Sequence, residues 1–191
     1  FMMPPMAKDT ELCGPIAAKL FVSSDTKDAD MFLVLRLFSP DLTEVTFKGT
    51  VDPHTPIAQG WLRASHRSLD KKQSKLYWPW HTHDKKQPLN PGKVYELDID
   101  LHPTGIVVPV GYRLALTVRG KDYIWPGAKM QDDEFTLSNF AKPLTGCGPF
   151  LHDDSRDRPK KVFDGKVTLH TGPVRQAYLM LPVIPPKSVG R

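Results

Sequence analysis

Tyr95-Glu96-Leu97-Asp98-Ile99-Asp100-Leu101 alternates apolar and acidic side chains without a break. A period of two puts Tyr95, Leu97, Ile99 and Leu101 on one face and the three acids on the other, the pattern of a strand whose sheet has one wet face. A helix would scatter the same residues around its circumference. Beyond Gly111-Tyr112, Leu114, Leu116 and Val118 alternate with Arg113, Thr117 and Arg119 and predict a second strand of the same kind. Residues 103–109, with a short apolar run of their own, read as the connection between the two.

Working outward, 16–22 and 31–38 read as strands parted by the turn-rich Ser23-Ser24-Asp25-Thr26-Lys27-Asp28. The second is apolar on both faces apart from Arg36, which predicts a central strand. Further strands are expected at 44–51 and 61–66, around Asp52-Pro53-His54-Thr55-Pro56, and at 165–170 and 176–183 near the end. That makes eight or nine. The one place for a short helix is 68–76, and no stretch carries a 3.6-residue period long enough for a packed helix. Nineteen prolines in 191 residues agree, because proline removes a backbone donor and fixes φ. The pattern predicts an all-β sandwich, with a jelly roll among its common arrangements, and leaves the strand order open. Two long polar segments, 71–91 and 123–161, are rich in Pro, Gly, Asp and aromatic residues and are expected to carry an interface or a function.

The composition, 40% hydrophobic and 25% charged, is that of an ordinary folded domain with no span for a membrane; the longest apolar run, 31–35, ends at Arg36. The net charge of +5 is spread out. Lys71, Lys72, Lys75, Lys85 and Lys86 lie near Asp70 and Asp84, and Arg156, Arg158, Lys160 and Lys161 interleave with Asp153, Asp154 and Asp157, so no nucleic-acid partner is expected. Cys13 and Cys147 define neither a disulfide framework nor a zinc site, and a reducing, cytoplasmic compartment is the expectation, with a single bridge between them and secretion left open. Residues 1–8 lack the features of a signal peptide and read as a linker, with the domain over 9–186 and a tail at 187–191.

Catalytic chemistry is poorly represented. No Gly-x-Ser-x-Gly elbow exists, so a serine hydrolase of the α/β type has no nucleophile here; Ser65 sits in Ala64-Ser65-His66 and Ser138 in Leu137-Ser138-Asn139. His81-Thr82-His83-Asp84 places two imidazoles on one side of an extended chain, and His152-Asp153-Asp154 could complete a metal site as in a cupin-like enzyme. Tyr77-Trp78-Pro79-Trp80, with Trp61 and Trp125, could instead stack on sugars or cover a partner domain. The interface reading is preferred, no cofactor is required, and Trp61, Arg63, Trp78, Trp80, His81, His83 and Trp125 are the candidate contacts. The same surface could serve self-association into a homo-oligomer.

One family accounts for the order of several landmarks. Cys13-Gly14-Pro15-Ile16, Leu20-Phe21-Val22-Ser23-Ser24-Asp25 and Asp28-Ala29-Asp30 resemble the opening strands of the C-terminal, non-catalytic domain of X-prolyl dipeptidyl peptidase and cocaine esterase-like serine hydrolases. Gly60-Trp61-Leu62-Arg63-Ala64-Ser65-His66-Arg67, Leu89-Asn90-Pro91-Gly92-Lys93-Val94-Tyr95, Gly111-Tyr112-Arg113-Leu114 and the closing Leu179-Met180-Leu181-Pro182-Val183-Ile184-Pro185 are similar to its later ones. The resemblance implies a jelly-roll sandwich, galactose-binding-like, packed against an α/β-hydrolase domain that carries the catalytic Ser, Asp and His. After Val118 the sequence departs from the cocaine-esterase branch: Arg119-Gly120-Lys121-Asp122-Tyr123-Ile124-Trp125-Pro126-Gly127 stands where a Ser-Ser-x-Phe-Pro stretch is expected. The resemblance therefore assigns neither a proline dipeptide nor an aromatic ester as substrate.

Overall fold

A computed structural model of the chain describes residues 1–48, 52, 54–126 and 151–185. Its strands are β1 (Thr10–Ser24), β2 (Asp30–Phe38), β3 (Glu44–Val45), β4 (Ala58–Arg63), β5 (Tyr95–Val108), β6 (Arg113–Arg119), β7 (Val167–Leu169) and β8 (Tyr178–Met180), with one helical turn, α1 (Lys160–Phe163). They form two antiparallel sheets. In one, β1 lies between β5 on one side and β7 and β8 on the other. In the other, β2 lies between β6 on one side and β3 and β4 on the other. The connections β1–β2, β4–β5, β5–β6 and β6–β7 all pass between the sheets, as in a chain wound into a jelly roll.

The alternation in the sequence becomes the core. Leu97, Ile99 and Leu101 of β5 and Ile16, Ala18, Leu20 and Val22 of β1 face Met31, Leu33, Leu35 and Leu37 of β2 and Leu114 and Leu116 of β6, all buried in one cluster. Each large aliphatic side chain so buried contributes roughly 1.5–3 kcal/mol. The acids of β5 stay on the outer face, where Lys19 bonds Glu96 and lies 3.1 Å from Asp98.

Several expectations are corrected. The stretch 103–109 is no connection, because β5 continues through Pro103 to Val108. The ladder tolerates that proline because the register slips between Gly14 and Ile16, so Pro15 and Pro103 fall where the bulge interrupts pairing. No helix forms at 68–76: the Asp70 carboxylate accepts from the Lys72 and Gln73 amides at 2.8 and 3.1 Å and turns the chain instead. The strand expected at 61–66 lies at Ala58–Arg63 and ends in a 3-10 turn at Ala64–His66. Of 44–51, only Glu44–Val45 is a strand among the described residues; 49–51 lie outside them, as do 127–150, Cys147, Ser138 and 187–191.

Residues 1–6 run along β6: the Phe1 amide carbonyl accepts from Leu116 at 2.8 Å, and the Met3 and Met6 amides donate to Leu114 and Tyr112 at 2.9 and 2.8 Å. Where β4 crosses β5 the two sheets nearly touch. A Cβ at Gly60 would lie 2.1 Å from the Asp100 carbonyl oxygen, so only glycine fits. Among the described residues no helix is long and apolar enough to cross a membrane.

Candidate functional site

The register of β2 and β4 sets the outer face of the second sheet. Asp30 pairs with Arg63 and Phe32 with Trp61, and because Met31 and Leu33 point into the core, these four side chains point out. The segment 151–163 lies over them. Arg63 donates to both oxygens of Asp30 and to both oxygens of Asp157, and Arg158 Nε stands 2.7 Å from Asp30 Oδ2. The Arg63 guanidinium also lies 4.5 Å over the Phe163 ring. Hydrogen bonds to Asp30 and then Asp157 hold Arg63 protonated well above its usual range, while the Arg63 bond holds Asp157 below the usual carboxylate range.

A second polar cluster covers the other end of this face. Arg36 donates to Glu44 at 2.8 Å, Tyr123 donates to the same carboxylate at 2.8 Å, and the Arg36 guanidinium sits 4.8 Å over Phe38. Burial first, and the Glu44 carboxylate second, push the Tyr123 phenol up.

Between this strap, residues 151–163, and the sheet edge opens a cleft of about 430 Å³, lined by Asp30, Phe32, Trp61, Arg63, His66, His81, His83, Asp100, His152 and Arg158 among others. The candidate contacts divide around it. Trp61, Arg63, His81 and His83 line it. Trp78 and Trp80 stand on the adjoining loop, 49% and 46% exposed beside Leu76 and Tyr77, where the Lys75 and Trp78 backbones bond to each other across a tight turn. Trp125 lies elsewhere, its ring stacked on His54 at 3.6 Å.

The metal reading that joins His81, His83 and His152 is corrected. His152 lies 2.8 Å from Asp122 through Nδ1, its amide donates to the same carboxylate, and its ring packs on Trp61 at 5.0 Å. His83 instead stands between His81, with ring centres 5.8 Å apart, and His66, whose Nδ1 is 3.3 Å from its own. Among the described residues no three His, Cys, Asp or Glu side chains are grouped as a ready-made metal site. Burial lowers the pKa of both His81 and His66; Asp100 opposes this at His81, and His83 and Lys86 add to it at His66. Trp125 does not join a common aromatic platform with Trp78 and Trp80, since His54 covers a face of its ring, and Trp61 meets His102 and His152 instead.

The family of the X-Pro dipeptidyl-peptidase C-terminal non-catalytic domain matches residues 1–180. The chain belongs to this family. A crystallised CocE/NonD family hydrolase of Staphylococcus aureus superposes with a TM-score of 0.79 at 26% identity, over 97% of this chain and 30% of that one. A Mycobacterium bovis protein described as a serine esterase is 29% identical over 150 residues, 76% of this chain and 20% of its own length. A Streptomyces avermitilis protein described as an Xaa-Pro dipeptidyl-peptidase is 30% identical over 140 residues, 64% of this chain and 21% of its own. The chain thus spans about a fifth of its curated relatives. As a member of this family it is a C-terminal non-catalytic domain of the X-Pro dipeptidyl-peptidase type.

Asp30, Asp100, Asp122, Asp157 and Arg158 were not among the sequence candidates. The one available signal was acidic residues in apolar surroundings, as at Asp30 before Met31-Phe32-Leu33; most of their partners are distant in sequence, as at Asp30–Arg63, Arg63–Asp157 and Asp122–His152.

Proposed function

We propose that this domain docks on an α/β-hydrolase domain of its parent chain through the loop bearing Leu76, Tyr77, Trp78 and Trp80, and that the adjoining cleft helps wall that domain's substrate pocket. The carrying observation is the loop itself. Four large apolar side chains, 46–66% exposed, stand together at a tight turn outside the core, and such a patch marks an interaction surface. Trp61 and Arg63, held in place by the strap, supply the wall with a flat ring and a fixed cation.

The parent reaction in this reading is acyl-ester or X-prolyl peptide hydrolysis by a serine nucleophile outside this chain. The descriptions of the relatives support that class and leave the substrate open between its two members. Residues 1–8 serve as the lead-in from the catalytic domain, and their bonding along β6 supports a fixed junction. A reducing, cytoplasmic setting belongs to the same reading, since two cysteines make no disulfide framework.

Hydrogen exchange on the full-length protein and on this domain alone tests the docking. The amides of 75–80 should exchange more slowly in the full-length protein; equal exchange would remove the loop as the contact. Light scattering of full-length protein separates this from homo-oligomer formation through the same loop, in which protection at 75–80 would rise with concentration.

A further inference from the structure

We propose that His66 and His83, with His81 beside them, form a binding site for a borderline divalent transition-metal ion, Zn²⁺ or Cu²⁺, that clips the aromatic loop to the end of β4. The two Nδ1 atoms stand 3.3 Å apart. Two imidazole nitrogens on one tetrahedral ion, each about 2.0–2.1 Å from it, must be roughly 3.3–3.4 Å apart, so the pair already has the bite of a chelate. The rings agree: their centres are 5.4 Å apart for His66 and His83 and 5.8 Å for His81 and His83, against roughly 5 Å for imidazoles on a common tetrahedral ion.

His81 supplies the independent observation. Its side chain is only 5% exposed, it lines the cleft, and its Nε2 has no hydrogen-bond partner, while Nδ1 lies 3.9 Å from the Asp100 carboxylate. Asp100 is too far for a hydrogen bond but near enough to become the partner of one ring nitrogen if the ring turns its other nitrogen to a metal. As placed, two donors are at chelating distance; a reorientation of the His81 ring would bring the third, with the cleft leaving room for water in the remaining position. Among the described residues, His83 and Leu42 are the non-glycine residues with positive φ, His83 at 50°, and the Thr82 hydroxyl bonds Asp84 beside it.

The consequence is mechanical. His66 belongs to the turn that ends β4, whereas His81 and His83 end the loop that carries Trp78 and Trp80. An ion shared between them would tie the aromatic surface to the sandwich. The ion here braces a loop and performs no reaction, and the site stands whether or not that loop docks on a catalytic domain.

Calorimetric titration of the untagged chain with ZnCl₂, and separately CuCl₂, in a non-coordinating buffer tests the site. One ion should bind per chain. His66→Gln and His83→Gln should each weaken it more than about tenfold and His81→Gln about tenfold, with His102→Gln unchanged. Zn²⁺ should also protect His66 and His83 of the unaltered protein from diethyl pyrocarbonate, a readout independent of how the variants fold. No binding heat, or equal binding by the His66→Gln/His83→Gln double variant, would overturn the proposal.

Discussion

Asp30 and Arg63 stand directly opposite each other on β2 and β4, and the guanidinium donates to both carboxylate oxygens at 2.9 and 3.1 Å. The Asp30 side chain is 6% exposed and also meets Arg158, so Asp30 and Asp157 together balance the two arginines. Breaking such a cluster by removing one member typically costs about 3–5 kcal/mol. Arg63 keeps Asp157, so Asp30→Ala should cost about 2–3 kcal/mol in urea unfolding, whereas Asp41→Ala at an exposed turn should cost clearly less. Equal effects of the two would refute the strap.

Gly60→Ala should be among the most damaging small substitutions in the chain. The added methyl would meet the Asp100 carbonyl oxygen at 2.1 Å and the Leu101 Cα at 2.8 Å, both backbone atoms with no rotamer to yield. A loss of about 2 kcal/mol or more is expected, as for overpacking in a core. Gly92→Ala, with nothing within 4 Å but a φ of +78°, should cost less. Thermal unfolding of the pair gives the comparison.

Tyr123→Phe removes one hydroxyl that donates to Glu44, leaving the carboxylate to Arg36. The ring stays buried, so the main loss is a hydrogen bond to a charged group, about 1.5 kcal/mol. Urea unfolding should detect it with an unchanged m-value.

Acid should loosen the strap. Asp157 has its pKa held down by Arg63, so its contribution is complete above about pH 4 and is lost as the pH falls through its depressed folded value. Asp157 is half exposed, which makes the effect modest and sensitive to salt. The melting temperature of the native chain should exceed that of Asp157→Asn at pH 6, with the gap closing toward pH 3. A gap that widens in acid would contradict the assignment.

The sandwich was legible where one face is wet and the other dry: Leu97, Ile99, Leu101 and their partners alternate in sequence as they do in space. The continuation of β5 past Pro103 was not, because a proline forbids a ladder bond only where one is needed, and Pro15 lies in the same bulge. Of the candidate contacts, His81, His83, Trp61 and Arg63 meet at one cleft, while Trp125 stacks on His54 away from it. His66 joins the cleft because the 3-10 turn after β4 swings it toward His83, a contact set by backbone path rather than by spacing. Local periodicity reports which face of a strand is dry; it does not report which loops then meet above the other face.

Hydrolysis by the isolated domain tests the central claim most directly. Purified residues 1–191, folded and incubated with p-nitrophenyl esters and with Xaa-Pro amides, should show no turnover above buffer, while the full-length parent turns over at least one of them and loses that activity to a serine-directed inhibitor. Turnover by the isolated domain that the same inhibitor abolishes would contradict its assignment as a non-catalytic wall.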